Sequence, residues 1–162
     1  MKCVIDANIL IDLNNGGILA KLFDLALSVS TPDAVLDEMI EPDRNSLHLM
    51  GLTTITLSPT QLLETARMHA EDARLSLGDC TALIAARDER VFLLTGDRRL
   101  RDRAEDISLE THGVLWVLDE IEAAELLSHA ELAASLQKML NQGARLPAHE
   151  CEQRFLRWSG TE

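Results

Sequence analysis

Short apolar runs with β-branched residues alternate along this chain with longer stretches of helical spacing. Lys2 to Ile5 leads into such a run, which halts at Asp6 and predicts a buried strand. Ile9 to Leu13 and Ile18 to Leu27 carry helical spacing, interrupted by a turn at Asn14, Asn15, Gly16 and Gly17. A second short strand is expected to end near Ser30, with Thr31 as cap and Pro32 as first-turn residue of a helix reaching about Ile40. A brief helix near Asn45 to Met50 leads to a strand at Thr54 to Leu57, and Ser58 and Pro59 begin a longer helix to about Arg74.

The alternation then repeats. A helix is expected from Asp79 to Asp88, a strand at Val91 to Thr95, a helix around Arg98 to Glu105 and a strand at Ile107 to Thr111. After Gly113 the pattern is helical only: to about Leu127, then Ala130 to Leu140, then His149 to Trp158, with Gly143 to Pro147 as a turn. Strands joined by helical crossovers imply a mostly parallel α/β sheet with both faces covered.

Composition narrows the class. A chain of 162 residues, 46% hydrophobic and 26% charged, suits one globular domain with a sizeable core. No stretch approaches the roughly 20 apolar residues of a membrane helix, and Asp6 interrupts any signal-like start, so a cytoplasmic protein is expected. Cys3, Cys80 and Cys151 lack paired spacing, which argues against both a disulfide framework and a zinc site. The histidines are scattered without ligand spacing; His112 draws interest because it follows the last expected strand. Trp116 and Trp158 are expected to pack in the core.

Charge complicates the picture. A formal net charge of -12 argues against a phosphate-gripping surface. Against that, Arg98, Arg99, Arg101 and Arg103 crowd one segment directly after Asp97, where they form either a solvated helix face or a local basic patch.

The candidate chemistry lies in the acids. In an open parallel sheet, ligands bind beyond the carboxyl ends of the strands, near the point where strand order reverses. Asp6 follows the first strand directly, and Asp97 follows the strand at Val91 to Thr95. If those strands are neighbours, both carboxylates face one crevice. Asp79 opens the intervening helix, and Glu38 lies beside the apolar stripe of an earlier one, with Asp37 and Glu41 as competitors. Taken singly, each Asp also reads as a helix cap or turn residue. Converging carboxylates repel one another, so such a cluster holds either protons or a cation. All-oxygen sites suit Mg²⁺ or Mn²⁺, which activate water and stabilise a leaving oxygen in phosphodiester hydrolysis.

Four segments carry a family resemblance. Val4-Ile5-Asp6-Ala7-Asn8-Ile9-Leu10-Ile11 resembles the opening of PIN-domain proteins. Val35-Leu36-Asp37-Glu38-Met39, Gly78-Asp79-Cys80-Thr81-Ala82-Leu83-Ile84-Ala85-Ala86 and Leu94-Thr95-Gly96-Asp97 resemble the family's second, third and fourth acid segments, in the same order. The resemblance implies a single-domain PIN-like fold: a central parallel five-stranded sheet flanked by helices over residues 1–112, with an all-helical C-terminal part, 113–162, packed on the same domain. It implies an Mg²⁺- or Mn²⁺-dependent endoribonuclease, with Asp6, Glu38, Asp79 and Asp97 holding the metal and its water. Asn8 and Thr95 would orient those carboxylates, and Arg98, Arg99 and Arg101 would help to hold RNA phosphates. Similarity to VapC-like toxins of bacterial toxin-antitoxin pairs further implies a homodimer and a small antitoxin partner.

Two features leave alternatives open. Ala7 stands where family members frequently carry Ser or Thr, and the chain is acidic, which fits a catalytically weak PIN scaffold binding a protein partner or RNA. A phosphatase of the haloacid dehalogenase type also begins with Asp after the first strand, but that chemistry wants a second Asp where Asn8 stands.

Overall fold

Three consecutive residues with no exposure, Cys3, Val4 and Ile5, mark the first strand as the middle of a sheet covered on both sides. In the computed structural model, which describes residues 1–160, this strand β1 (Lys2–Ile5) pairs in parallel with β2 (Ser28–Pro32) on one side and β4 (Phe92–Leu94) on the other. β3 (Thr53–Ile55) extends the sheet beyond β2, and β5 (Thr111–His112) extends it beyond β4. The order is therefore β3-β2-β1-β4-β5, all parallel, as the resemblance implied. The chain moves outward from β1 in one direction and then restarts on its other side, so the reversal lies at β1 and β4.

Successive side chains of a strand point to opposite faces, and the two cores divide accordingly. Cys3, Ile5 and Leu94 join the cluster built with α1 (Ala7–Asn15), α2 (Leu19–Asp24), α8 (Val114–Ala123), α9 (His129–Asn141) and α10 (Ala148–Ser159). Val4 and Leu93 face the opposite layer, packed by α6 (Leu77–Glu89), α7 (Arg98–Asp106) and Val35 of α3 (Asp33–Asp37). α4 (Arg44–Met50) and α5 (Pro59–Glu71) complete the described helices. The C-terminal helices thus share a core with β1; Thr161 and Glu162, the end of the expected C-terminal part, lie outside the described residues. Among the described residues, no helix is long and apolar enough to cross a membrane.

Several boundaries differ from the sequence expectation. Thr31 and Pro32 remain in β2, paired with Thr54 and Ile55, and the Thr31 hydroxyl donates to the Ile5 carbonyl at 2.7 Å. A buried β-branched Thr therefore serves the sheet rather than capping a helix. α3 ends at Asp37, not near Ile40, and Ile40 is 90% exposed, so its apolar character extends no buried face. α6 begins at Leu77 under a Ser76 cap, so Asp79 sits in its first turn instead of opening it.

The last strand shifts as well. Ile107 closes α7 with its N–H bonded to the Ala104 carbonyl, and Ser108 turns the chain with φ of 56°. Only Thr111 and His112 pair with β4, so His112 lies in the strand, not after it.

Candidate active site

Asp6 and Asp97 occupy equivalent places at the carboxyl ends of adjacent strands. Asp6 caps α1, its Oδ1 accepting the Ala7 N–H at 2.6 Å; Asp97 caps α7, its Oδ1 accepting the Leu100 N–H at 2.9 Å. The capping reading and the crevice reading thus coincide, because a parallel strand that hands over to a helix places the cap at the sheet's ligand-binding end.

Thr95 ties the two together. Fully buried, its hydroxyl donates to Asp6 Oδ2 at 3.0 Å and accepts the Asp97 N–H at 3.1 Å. The Asp6 N–H in turn donates to the Leu94 carbonyl at 2.9 Å. With Ala7 beside Asp6, it is Thr95 that supplies the hydroxyl. Replacing Thr95 by the equally bulky Val is expected to cost about 1–3 kcal/mol by leaving a buried acceptor unmade. Chemical denaturation checks this, and an unchanged midpoint would remove the bridge from the fold's support.

The other two acids come from α6 and the end of α3, which pack on one another over one face of the sheet. Asp79 and Ser76 form a capping box: the Ser76 hydroxyl accepts the Asp79 N–H at 3.0 Å and Asp79 Oδ2 accepts the Ser76 N–H at 2.7 Å. The pattern Ser76-Leu77-Gly78-Asp79 carried that signal in the sequence. Glu38 is the C-cap of α3 and is exposed, yet its Oε1 accepts the N–H of buried Gly78 at 2.7 Å. It therefore lies against the positive end of α6. Its competitor Asp37 is held elsewhere, by Arg44 at 2.6 Å.

Burial and mutual repulsion act on this set. Asp6, 1% exposed, is pushed up to about 7, chiefly by burial and then by the Asp79 charge; bonds from Thr95 and Ala7 oppose this and Glu38 adds to it. Asp79 is also raised, by burial first, against its Ser76 bonds, with Asp97 and Glu38 contributing. The other three acids therefore lie within electrostatic reach of Asp79. Among the described residues, no Lys, Arg or His side chain pairs with any of the set.

This donor set fits a hard divalent cation: all oxygen, strongly anionic, partly buried and lacking an internal counter-charge. As they stand, among the described residues, no three His, Cys, Asp or Glu side chains are gathered closely enough to hold one. Glu38 and Asp79 are instead engaged with backbone N–H groups.

The remaining expected residues are scattered around the acids. Asn8 is exposed on the first turn of α1 and makes no side-chain hydrogen bond to the carboxylates. It lines a cavity of about 640 Å³ together with Asp97, Arg98 and Arg99. Arg101 is spent on structure, its Nε and Nη2 both donating to the Thr95 carbonyl at 3.1 Å. Trp116 is half-buried instead of enclosed, and His112 stacks on it with centroids 4.4 Å apart. Arg145, in the turn after α9, borders the same cavity as Asp97; no sequence signal singled it out.

A family model described as a PIN domain matches residues 2–159 of the chain. Comparison with curated proteins gave no match.

Proposed function

The chain belongs to the PIN-domain family, a nuclease superfamily whose members typically use divalent metal ions, and from that premise we propose that it is an Mg²⁺- or Mn²⁺-dependent endoribonuclease. The observation that carries the reading is the buried Asp6 joined to Asp97 through the Thr95 hydroxyl, with its carboxyl raised chiefly by burial and then by the Asp79 charge. Asp6, Glu38, Asp79 and Asp97 would hold the cation, Glu38 and Asp79 after release from the Gly78 and Ser76 N–H groups they now accept. When bound, the ion supplies Lewis-acid polarisation of the phosphoryl oxygen and lowers the pKa of its water. Thr95 keeps the Asp6 carboxylate oriented, Asn8 reaches the substrate side of the crevice, and Arg98 and Arg99 hold phosphates beside it. Arg101 contributes by fixing α7 to the end of β4.

The test is RNA cleavage by the purified full chain with Mg²⁺ or Mn²⁺, with and without a chelator, beside Asp97→Asn. Cleavage that needs the cation and is lost in Asp97→Asn supports the reading. Cation and RNA binding without cleavage of any RNA would support the scaffold alternative, which the engagement of Glu38 and Asp79 with backbone donors favours. Removing both Arg98 and Arg99 as Ala is expected to flatten the dependence of log affinity on log salt by about 1 for each phosphate no longer neutralised. A slope equal to that of the parent chain would take both arginines out of substrate binding.

We further place this activity in the cytoplasm, as a VapC-like toxin acting as a homodimer and silenced by an antitoxin. A groove of about 540 Å³ lined by Leu140, Leu146, Cys151, Phe155 and Leu156 supports the antitoxin, since it is the kind of surface that takes the apolar face of a helix.

A further inference from the structure

Arg98 stands between two cavities. Gly96, Arg98, Arg145 and Leu146 line both the cavity that holds Asn8 and Asp97 and a second, of about 520 Å³, whose wall includes His112 and Trp116. We propose that this second cavity is a subsite for a nucleotide of single-stranded RNA next to the scissile phosphate, its base against the His112–Trp116 pair and its phosphate on Arg98 and Arg145. The assignment rests on the nuclease reading of the four acids.

The aromatic pair is built before any ligand arrives. Its rings are 20° from coplanar, and Phe92 meets both edge-on, with centroids 5.3 Å from His112 and 5.4 Å from Trp116. In a chain with no Tyr, two Trp and three Phe, Trp116 lines the cavity and Phe92 buttresses it from outside the lining. Base–aromatic stacking tolerates any base and suits single-stranded RNA, whose bases are free to splay out. The volume is in the range of small-molecule sites.

Charge is arranged to match. The acids lining this cavity are met by cations from the protein itself: Asp119 takes Arg154 and Arg157, and Arg154 also approaches Glu150 at 3.7 Å. Arg101 is bound to the Thr95 carbonyl. Arg98 and Arg145 are exposed and, among the described residues, their side chains make no hydrogen bond or ion pair. Glu110, just outside the cavity lining, meets His112 Nε2 at 2.6 Å, and among the described charged side chains that line the cavity itself those without a protein partner are the two arginines.

The experiment uses the full chain in a chelator, so that binding is read apart from cleavage, with a fluorescein-labelled eight-nucleotide RNA. Trp158→Phe leaves Trp116 as the sole indole; the buried Trp158 Nε1 has no hydrogen-bond partner among the described residues, so this change strands none. RNA is expected to quench Trp116 emission. Arg145→Ala, an exposed change in a turn, is expected to weaken binding several-fold and lower the salt slope by about 1. Trp116→Leu is expected to weaken binding by at least about fivefold.

RNA binding without quenching, or unchanged affinity in both variants, overturns the subsite. If cation-dependent cleavage persists in that case, the nuclease reading stands alone. Quenching and weakened variants in a protein that cleaves no RNA would uphold the subsite's RNA recognition and overturn the nuclease reading. Absence of any RNA binding overturns the subsite, and the nuclease reading falls with it where cation-dependent cleavage is absent too.

Discussion

Asp6→Asn is expected to lower RNA cleavage at least about a hundredfold, since loss of a group that merely orients a metal ligand already costs about 10- to 100-fold. The same change is expected to stabilise the cation-free protein above neutral pH. Asn keeps a carbonyl oxygen for the Ala7 N–H and is as good an N-cap as Asp, but its amide nitrogen cannot accept the Thr95 hydroxyl, so the fold gives up that one bond. What disappears is a buried negative charge.

The sign of the pH dependence follows from the direction of the shift. Asp6 is raised from 3.8 to about 7 and Asp12, mainly by burial, to about 6, so the folded chain binds these protons more tightly than the unfolded chain does. Their contribution to stability is complete below about pH 4 and is lost as pH rises through about 7. Acids shifted the other way, such as Asp72, lowered to about 2 chiefly by Arg74, act only at the acidic end. Cation-free protein is therefore expected to lose on the order of 2–4 kcal/mol between pH 4 and pH 8, seen as a falling melting temperature. Asp6→Asn flattens most of that fall. Saturating Mn²⁺ reverses it, because a cation competes with protons for the same oxygens. A parent chain whose melting temperature is level across this range, with and without Mn²⁺, would show that Asp6 carries no such strain.

Gly78→Ala is expected to separate stability from function. A Cβ at position 78 would stand 2.5–2.6 Å from the Glu38 carboxylate atoms, a distance no real side chain tolerates, so the carboxylate must leave. Its departure gives up one charge-assisted hydrogen bond, while Ala gains up to about 1 kcal/mol of helix propensity over Gly in α6. The two effects nearly offset, and the melting temperature is expected to change little. Cation affinity and cleavage are expected to fall about 10- to 100-fold, as calorimetry and initial rates would show. Parent-like affinity in a folded Gly78→Ala protein would dissociate Glu38 from the metal centre.

These two substitutions mark where local reading succeeded and where it stopped. Asp6 and Asp97 were legible because each directly follows an apolar run, and a strand that ends in a cap at a parallel sheet's carboxyl edge announces itself within a few residues. Thr31 was misread because Thr-Pro suits both a helix start and a strand end; the choice depends on the Ile5 carbonyl, 26 residues away, which takes its hydroxyl. β5 was displaced because Ile107 is apolar but 44% exposed, and hydrophobicity alone does not tell a helix-closing residue from a buried strand. The Glu38 assignment came from resemblance; what holds the residue in place, the space left by Gly78, has no signature in the segment around Glu38.

The sequence by itself determined the alternation of elements, the parallel α/β class and the caps at Asp6 and Asp97. Those properties are written in spacing and side-chain type over a few consecutive residues. Only the tertiary structure decided that Thr95 bridges to Asp6 across 89 positions, that Glu38 settles on Gly78 across 40, and that Arg145 comes to the cavity bordering Asp97. Such contacts depend on which strands become neighbours and how far each helix runs before it ends, and backbone periodicity carries no record of distance through space.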